Sequence, residues 1–211
     1  MDYSIWLTFF AASWAISLSP GPGAVAAMSA GLNHGFARGY CLTFGLVLGI
    51  LTQLSVVGVG LGALMAASST AFAALKWAGA AYLVWLGIQQ WRSPALVLRA
   101  ETVAAGSPPT PRRLLVLRGW AINAVNPKGT VFMLAVVPQF IESSRPLLAQ
   151  YAAVGATLVF TDLVVMAAYT ALASRVLAAF ASARQMRMLN RIFGSVFIVI
   201  GLLMATYKRS A

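Results

Sequence analysis

The chain has 211 residues, of which 60% are hydrophobic and only 9% charged, against about half and about a quarter in soluble domains. A mean hydropathy of +0.83 leaves too little polar surface to coat a globule, so the composition excludes an ordinary soluble domain and points to a helical integral membrane protein. Fifteen Lys and Arg against four Asp and Glu give a net charge of +11. The basic residues fall mostly in the breaks between apolar segments, with no basic helix or aromatic RNA-binding strand, which argues against nucleic acid as a partner and for cationic loops that orient a polytopic protein.

A membrane span needs about 20 apolar residues. Met1-Asp2-Tyr3 carries no basic start, so the first apolar stretch is expected to be a retained helix rather than a cleaved signal. It runs from about Ile5 to Leu32, broken by Pro20-Gly21-Pro22-Gly23. The second span covers about Gly39 to Ala67 and the third about Ala71 to Trp91. The stretch from Arg92 to Arg113, with Pro94, Pro108, Pro109 and Pro111, reads as a connector. The fourth span covers about Leu114 to Phe140, broken at Asn126-Pro127-Lys128; the fifth runs from about Leu147 to Leu172 and the sixth from about Ile192 to Tyr207. The expected fold is therefore an all-α polytopic membrane protein of about six transmembrane helices, or five if the broken first segment dips without crossing.

With six crossings, loops 1–2, 3–4 and 5–6 share one side. That side carries Arg38; Arg92, Arg99, Arg112, Arg113 and Arg118; and Arg175, Arg184, Arg187 and Arg191, against Lys76, Arg145, Lys208 and Arg209 on the other. Basic loops stay in the cytoplasm, so both termini are expected outside.

The halves repeat. Trp14-Ala15-Ile16 aligns with Trp120-Ala121-Ile122, and at the same offset Gly23 meets Gly129, Val25 meets Val131 and Gly49 meets Gly155. After a length change, Lys76-Trp77-Ala78-Gly79 matches Arg191-Ile192-Phe193-Gly194. Both halves open with a helix interrupted by Pro and Gly. The domain is read as one membrane unit over 1–211: repeat 1 over about 1–92, a connector over about 93–113 and repeat 2 over about 114–208. Three spans per unit is odd, so the second must lie inverted relative to the first, the arrangement that marks secondary transporters and places their site at the broken helices.

Pro20, Pro22 and Pro127 each remove a backbone donor, and the freed groups cost several kcal/mol in hydrocarbon unless protein or cavity water meets them. The breaks are thus expected to line a polar cavity, where half-helix ends of opposite partial charge could hold a zwitterion; the bland reading is a mere kink or surface turn. Asp162 lies near the middle of the fifth span, at a cost of roughly 2.5–3.5 kcal/mol. Tyr151, Gly155, Asp162, Met166 and Tyr169 share its helical face. Asp162 is expected to hold a substrate ammonium or a coupling proton; the alternative is a structural acid, capped by hydroxyls or paired with Lys128. Lys128, beside Asn123 and Asn126, could receive a carboxylate, neutralise Asp162 or snorkel to the interface. Gln53 and Gln139 are neutral polar candidates. His34 and Arg38 suit a solvated loop, Cys41 a packing role, and Trp6, Trp77, Trp85 and Trp91 interface anchoring.

With one Cys and one His, neither an internal disulfide nor a metal cage can be built. No phosphate-binding loop is present, and besides Asp162 the acids are Asp2, Glu101 and Glu142, so no paired-carboxylate site is expected. No cofactor or metal is expected, and the chain is not read as an enzyme: a membrane-embedded one would have only His34 and Cys41 as nucleophile and base. A non-transporting assembly subunit would not require two polar breaks. An exporter of metal ions or other solutes is the nearest alternative.

At Leu18-Ser19-Pro20-Gly21, Leu32-Asn33-His34-Gly35, Lys76 to Gly79, Trp85-Leu86-Gly87, Gln89-Gln90-Trp91, Asn126-Pro127-Lys128, Pro138-Gln139-Phe140 and the segment around Asn190, Phe193, Gly194 and Ser195, the chain resembles the LysE/RhtB family of amino-acid exporters. It is most similar to the branch exporting homoserine, homoserine lactone and threonine. The resemblance implies a multi-pass protein of the bacterial inner membrane, embedded in lipid and exporting small amino acids by an ion gradient, with protons as the expected coupling ion. It also implies roles for Pro20, Gly21 and Pro22, for Asn126, Pro127 and Lys128, and for Asp162; Gly23, Gln53 and Asn123 complete the expected substrate-binding set. Many relatives carry Asn or Asp where Gly23 stands, so here the backbone must act at that position. Gly- and Ala-rich faces would permit a homodimer.

Overall fold

The computed structural model describes residues 3–67, 69–94, 109–142, 145–175 and 183–206. They form eight α-helices: α1 (Tyr3–Leu18), α2 (Pro22–Gly39), α3 (Cys41–Ala67), α4 (Ser69–Arg92), α5 (Arg112–Ala124), α6 (Pro127–Phe140), α7 (Leu147–Arg175) and α8 (Ala183–Thr206). The expected broken helices are the pairs α1/α2 and α5/α6. Each resumes in the same way, with a proline at the start of the new helix behind Gly21 or Asn126; there the missing N–H costs nothing and φ is already helical. Among the described residues, the apolar stretch Cys41–Gly60 and the helix Leu147–Arg175 are each long and apolar enough to cross a membrane.

Two expectations shift. Helix α8 begins at Ala183, well before Ile192, so Arg184, Arg187 and Arg191 are helical rather than in a loop; a helix satisfies its own backbone and can run past its apolar stretch. His34 and Arg38 lie within α2, not in a loop. The α2 helix kinks at Gly35, with φ of +70°, a conformation open to Gly without steric cost. The chain then folds back so that Gly39 lies against Ala30 and Gly31, while Arg38 donates to the Thr110 and Pro109 carbonyls. Arg99, Glu101, Asp2 and Tyr207 to Arg209 lie outside the described residues.

The broken pair of each half packs on the long helix of the other: α1 and α2 on α7, α5 and α6 on α3. Corresponding elements run antiparallel. Gly58 faces Tyr151 while Gly155 faces Leu51 and Leu54, setting α3 against α7. Gly87 meets Gly194 and Gly201 meets Ala80, setting α4 against α8. The Phe9 ring lies tilted against Phe140 while Ser19 meets Lys128, setting α1 against α6.

These contacts are close because small residues carry them. A Cβ on Gly45 would overlap the Val116 carbonyl, and one on Gly119 the Leu42 carbonyl, so α3 and α5 touch backbone to backbone. Apolar burial forms two clusters. One is built on Phe9, Leu83, Phe132, Val136, Val154 and Phe197; the other is built on Ala27, Met28, Leu42, Leu46, Leu115 and Val165. The polar breaks lie at the seam between them.

Gly45→Ala should lower the melting temperature of the detergent-purified protein by several degrees, since overpacking costs about 1–3 kcal/mol. Gly60→Ala, where a Cβ meets nothing within 4 Å, should leave it unchanged. Equal melting of the two variants would refute the close α3–α5 contact.

Candidate functional site

Each proline strands a particular carbonyl. In a continuous helix the Leu18 carbonyl would accept from the nitrogen of Pro22, and that of Asn123 from Pro127; neither proline has a hydrogen to give. The structure brings a side-chain donor to each from elsewhere in the fold, the Asn123 carbonyl also accepting from the Asn126 N–H at 3.1 Å. Tyr169 of α7 donates its hydroxyl to the Leu18 carbonyl at 2.7 Å. Gln53 of α3 donates its amide Nε2 to the Asn123 carbonyl at 2.7 Å, and the same nitrogen reaches the Asn126 carbonyl at 2.9 Å and Thr130 Oγ1 at 2.8 Å. At the second break Asn126 caps α6, its side chain accepting from the Lys128 N–H, and Asn123 donates to the Leu46 carbonyl.

Lys128 joins the two breaks. Its Nζ donates to the Ser19 carbonyl at 3.0 Å and to Ser19 Oγ at 2.7 Å, and lies 5.4 Å from the centre of the Phe197 ring. The ammonium is therefore held inside the protein and does not snorkel. It makes no ion pair with Asp162; among the described residues the ion pair present is Arg145–Glu142.

Asp162 is buried on α7, and its Oδ2 is shielded from solvent with no hydrogen-bond partner. Gln53 Oε1 is likewise buried and unpartnered. Burying an acceptor without a partner costs about 1–3 kcal/mol, more for a charged one. Two such atoms face one narrow cavity of about 70 Å³, whose lining includes Ser19, Gly21, Gly23, Gln53, Lys128 and Asp162. Asn123, Asn126 and Gly129 also line it, with Ile16, Ile50, Phe132, Met133 and Leu158 as apolar wall. The cavity also meets the start of α2. Gly21 provides no side-chain cap there, Pro22 has no N–H, and the Val25 N–H returns to the Gly21 carbonyl; the first-turn amides of Gly23 and Ala24 have no helical partner.

Of the expected set, Gly21, Gly23, Gln53, Asn123, Asn126, Lys128 and Asp162 come together. Pro20, Pro22 and Pro127 are not in the lining; Pro22 and Pro127 are exposed, so they act through the backbone groups they leave free. Gln139 also stays out of the cavity, its side chain donating to the Ala135 carbonyl of its own helix. Trp6 bonds Thr157 and Trp91 bonds Ser195, while Trp77 and Trp85 are exposed as interface anchors would be. Ser17, which bonds Thr161, and Ser19 had no assigned role in the sequence; the signal was their place on the turn whose carbonyls the prolines release.

The cavity thus offers an ammonium, two uncapped helix amides, a carboxylate and an amide carbonyl: donors on one part, acceptors on another. That is the complement of a small zwitterion, whose carboxylate would meet Lys128 and the α2 amides and whose ammonium would meet Asp162.

The profile of a family described as LysE type translocator matches residues 14–208. The chain is 41% identical over the full length of both proteins to a homoserine/homoserine lactone efflux protein of Salmonella typhimurium. It is 40% identical, over 99% of this chain and 100% of the other, to an uncharacterized membrane protein of Vibrio cholerae. It is 28% identical to a leucine efflux protein of an Enterobacter species over 65% of this chain and 64% of the other. No solved structure matches the chain significantly.

Tyr169→Phe, which strands the Leu18 carbonyl, should destabilise the protein by about 1–3 kcal/mol while membrane insertion is retained. Thermal melting in detergent checks this, and an unshifted transition would show that the hydroxyl is not needed at the break.

Proposed function

The chain belongs to the LysE type translocator family, and on that premise we propose that it exports small amino acids across the bacterial inner membrane as a multi-pass secondary transporter. Likeness to the Salmonella protein makes homoserine and its lactone the first candidate substrates, with threonine beside them. The observation that carries the site assignment is the buried, unpartnered Asp162 carboxylate facing the same cavity as the Lys128 ammonium and the uncapped start of α2. An amino acid bridging them supplies each with the partner it lacks.

We infer six crossings in two inverted three-helix repeats, over about 1–92 and 114–208. The antiparallel courses of α1 and α6, α3 and α7, and α4 and α8 support this, as does the exchange of broken pairs between the halves. The excess of basic residues at the helix ends and connections of one side supports a cytoplasmic position for that side. The broken helices then sit at the repeat interface, where transporters of this architecture hold their substrates.

The same carboxylate also gives a route to coupling. Asp162 can bind a substrate ammonium only when ionised, and it cannot hold that ammonium and a proton together. Alternate occupancy by substrate and proton makes their movements opposed, so an inward proton gradient drives outward export.

The test is transport of radiolabelled homoserine and threonine by the purified protein in liposomes, with and without an imposed pH gradient. Gradient-dependent movement is expected. Asp162→Asn should abolish it while the protein still inserts and folds, and Lys128→Gln should weaken apparent substrate affinity by at least about 10-fold, the loss of one charge-assisted contact. Undiminished export by Asp162→Asn would remove the coupling role assigned here. Movement of neither substrate by folded wild-type protein would remove the substrate assignment.

A further inference from the structure

One acceptor in the cavity is not used by the zwitterion. A zwitterion's charged groups account for Lys128, the α2 amides and Asp162, but Gln53 Oε1 is left over, buried and without a partner. The orientation of this amide is dictated by its surroundings. Nε2 lies within 2.9 Å of two carbonyl oxygens, those of Asn123 and Asn126, and carbonyls can only accept. Exchanging nitrogen and oxygen would set three acceptors against one another and leave the Asn123 carbonyl only the Asn126 N–H. The oxygen must therefore point the other way, towards Gly129, where the chain has left room for it: a Cβ at that position would come within 2.7 Å of Oε1.

The other neutral side-chain acceptors on the cavity wall are already engaged. Ser17 bonds Thr161, the Ser19 hydroxyl accepts from Lys128, and the Asn123 side chain bonds Leu46 and Asn126. An ionised carboxylate outcompetes a neutral amide oxygen for an ammonium, so what Oε1 can still take is a neutral donor.

We infer that Gln53 is a specificity residue: its side-chain oxygen, held in the cavity by the bonds its nitrogen makes to the α5–α6 break, accepts the side-chain hydroxyl of a hydroxylated small amino acid and so selects against the aliphatic amino acid of the same carbon skeleton. This rests on the proposed export of amino acids and adds to it the group that reads the side chain. Filling an apolar slot discriminates weakly, whereas a site built to bond a hydroxyl is left with an unpaired buried acceptor when the hydroxyl is missing. The same device serves fold and selection, because the lone amide spans the break with one end and faces substrate with the other.

The experiment uses the purified full chain in liposomes and compares transport of L-homoserine with that of L-2-aminobutyrate, which has the same four carbons and no hydroxyl. The wild type should favour homoserine by roughly 10- to 100-fold in kcat/KM. Gly129→Ala leaves the Gln53 amide and its bonds to the break in place but crowds Oε1; the homoserine preference should fall towards one, with folding confirmed by an intact thermal transition. Equal transport of the two amino acids by wild type would overturn the inference and leave amino-acid export standing. So would a homoserine preference unchanged in folded Gly129→Ala, or a loss shared equally by both substrates, which would assign Oε1 to the part they have in common. Transport of neither would overturn the export reading itself and this inference with it. Should Gly129→Ala fail to fold, the wild-type ratio decides alone.

Discussion

Everything at the centre of this protein depends on backbone carbonyls that proline has deprived of their helical donors. In water such groups cost little; inside a membrane-embedded bundle they must be met by other parts of the chain. The Leu18 carbonyl is met by Tyr169 from α7, and the Asn123 carbonyl by Gln53 from α3. Each donor comes from the long helix of the opposite half. The Asn123 carbonyl also takes the Asn126 N–H of its own half, but the side-chain donors at both breaks tie one half to the other at that depth. Lys128 adds a third tie by reaching from the second break to the Ser19 carbonyl of the first.

This constraint also makes the cavity. A break opens space where side chains of a continuous helix would otherwise meet, and the groups recruited to satisfy it are polar by necessity. Their unused valences then face that space: the remaining proton of the Lys128 ammonium, the oxygen of Gln53 and the uncapped amides at the start of α2. Asp162 alone is not explained by the repair of a break. It makes no bond to the half-helix ends and no ion pair with Lys128, and its Oδ2 is buried without a partner. That carboxylate costs energy where it stands and contributes no internal bond through that oxygen, which is why the proposed export reading rests on it.

Around this polar centre the bundle is held by a different force. Helices α3 and α5 approach to backbone contact at Gly45 and Gly119, and α4 meets α8 at Gly87 and Gly194. With lipid outside there is no hydrophobic gain in bringing helices together, so close approach and dispersion must supply the cohesion. The close contacts reach the second break itself, where Gly49 lies against Asn123 and Ala124 at the end of α5.

Much of this was legible in the chain itself. Apolar runs, proline and a lone mid-span acid are local properties, readable from residue type and spacing, and they located the two breaks, Lys128 and Asp162. The positions of the stranded carbonyls were also implicit, since each lies four residues before its proline. Which side chains answer them was not: Tyr169 and Gln53 lie far along the chain from Leu18 and Asn123, and only the crossing of α7 over α1 and of α3 over α5 brings them there. What the Lys128 ammonium bonds was decided likewise, by its proximity to Ser19. Helix ends such as the early start of α8 escaped because hydropathy marks where a helix meets lipid, not where its hydrogen bonds begin. The sequence by itself determined the class of protein, where its helices break and which charges are buried, because proline and buried charge act at the residue that carries them. Only the tertiary structure decided which groups those breaks recruit and which acceptors stay free to face the cavity, because a hydrogen-bond partner is a matter of proximity, and proximity here is created by the crossing of the two halves.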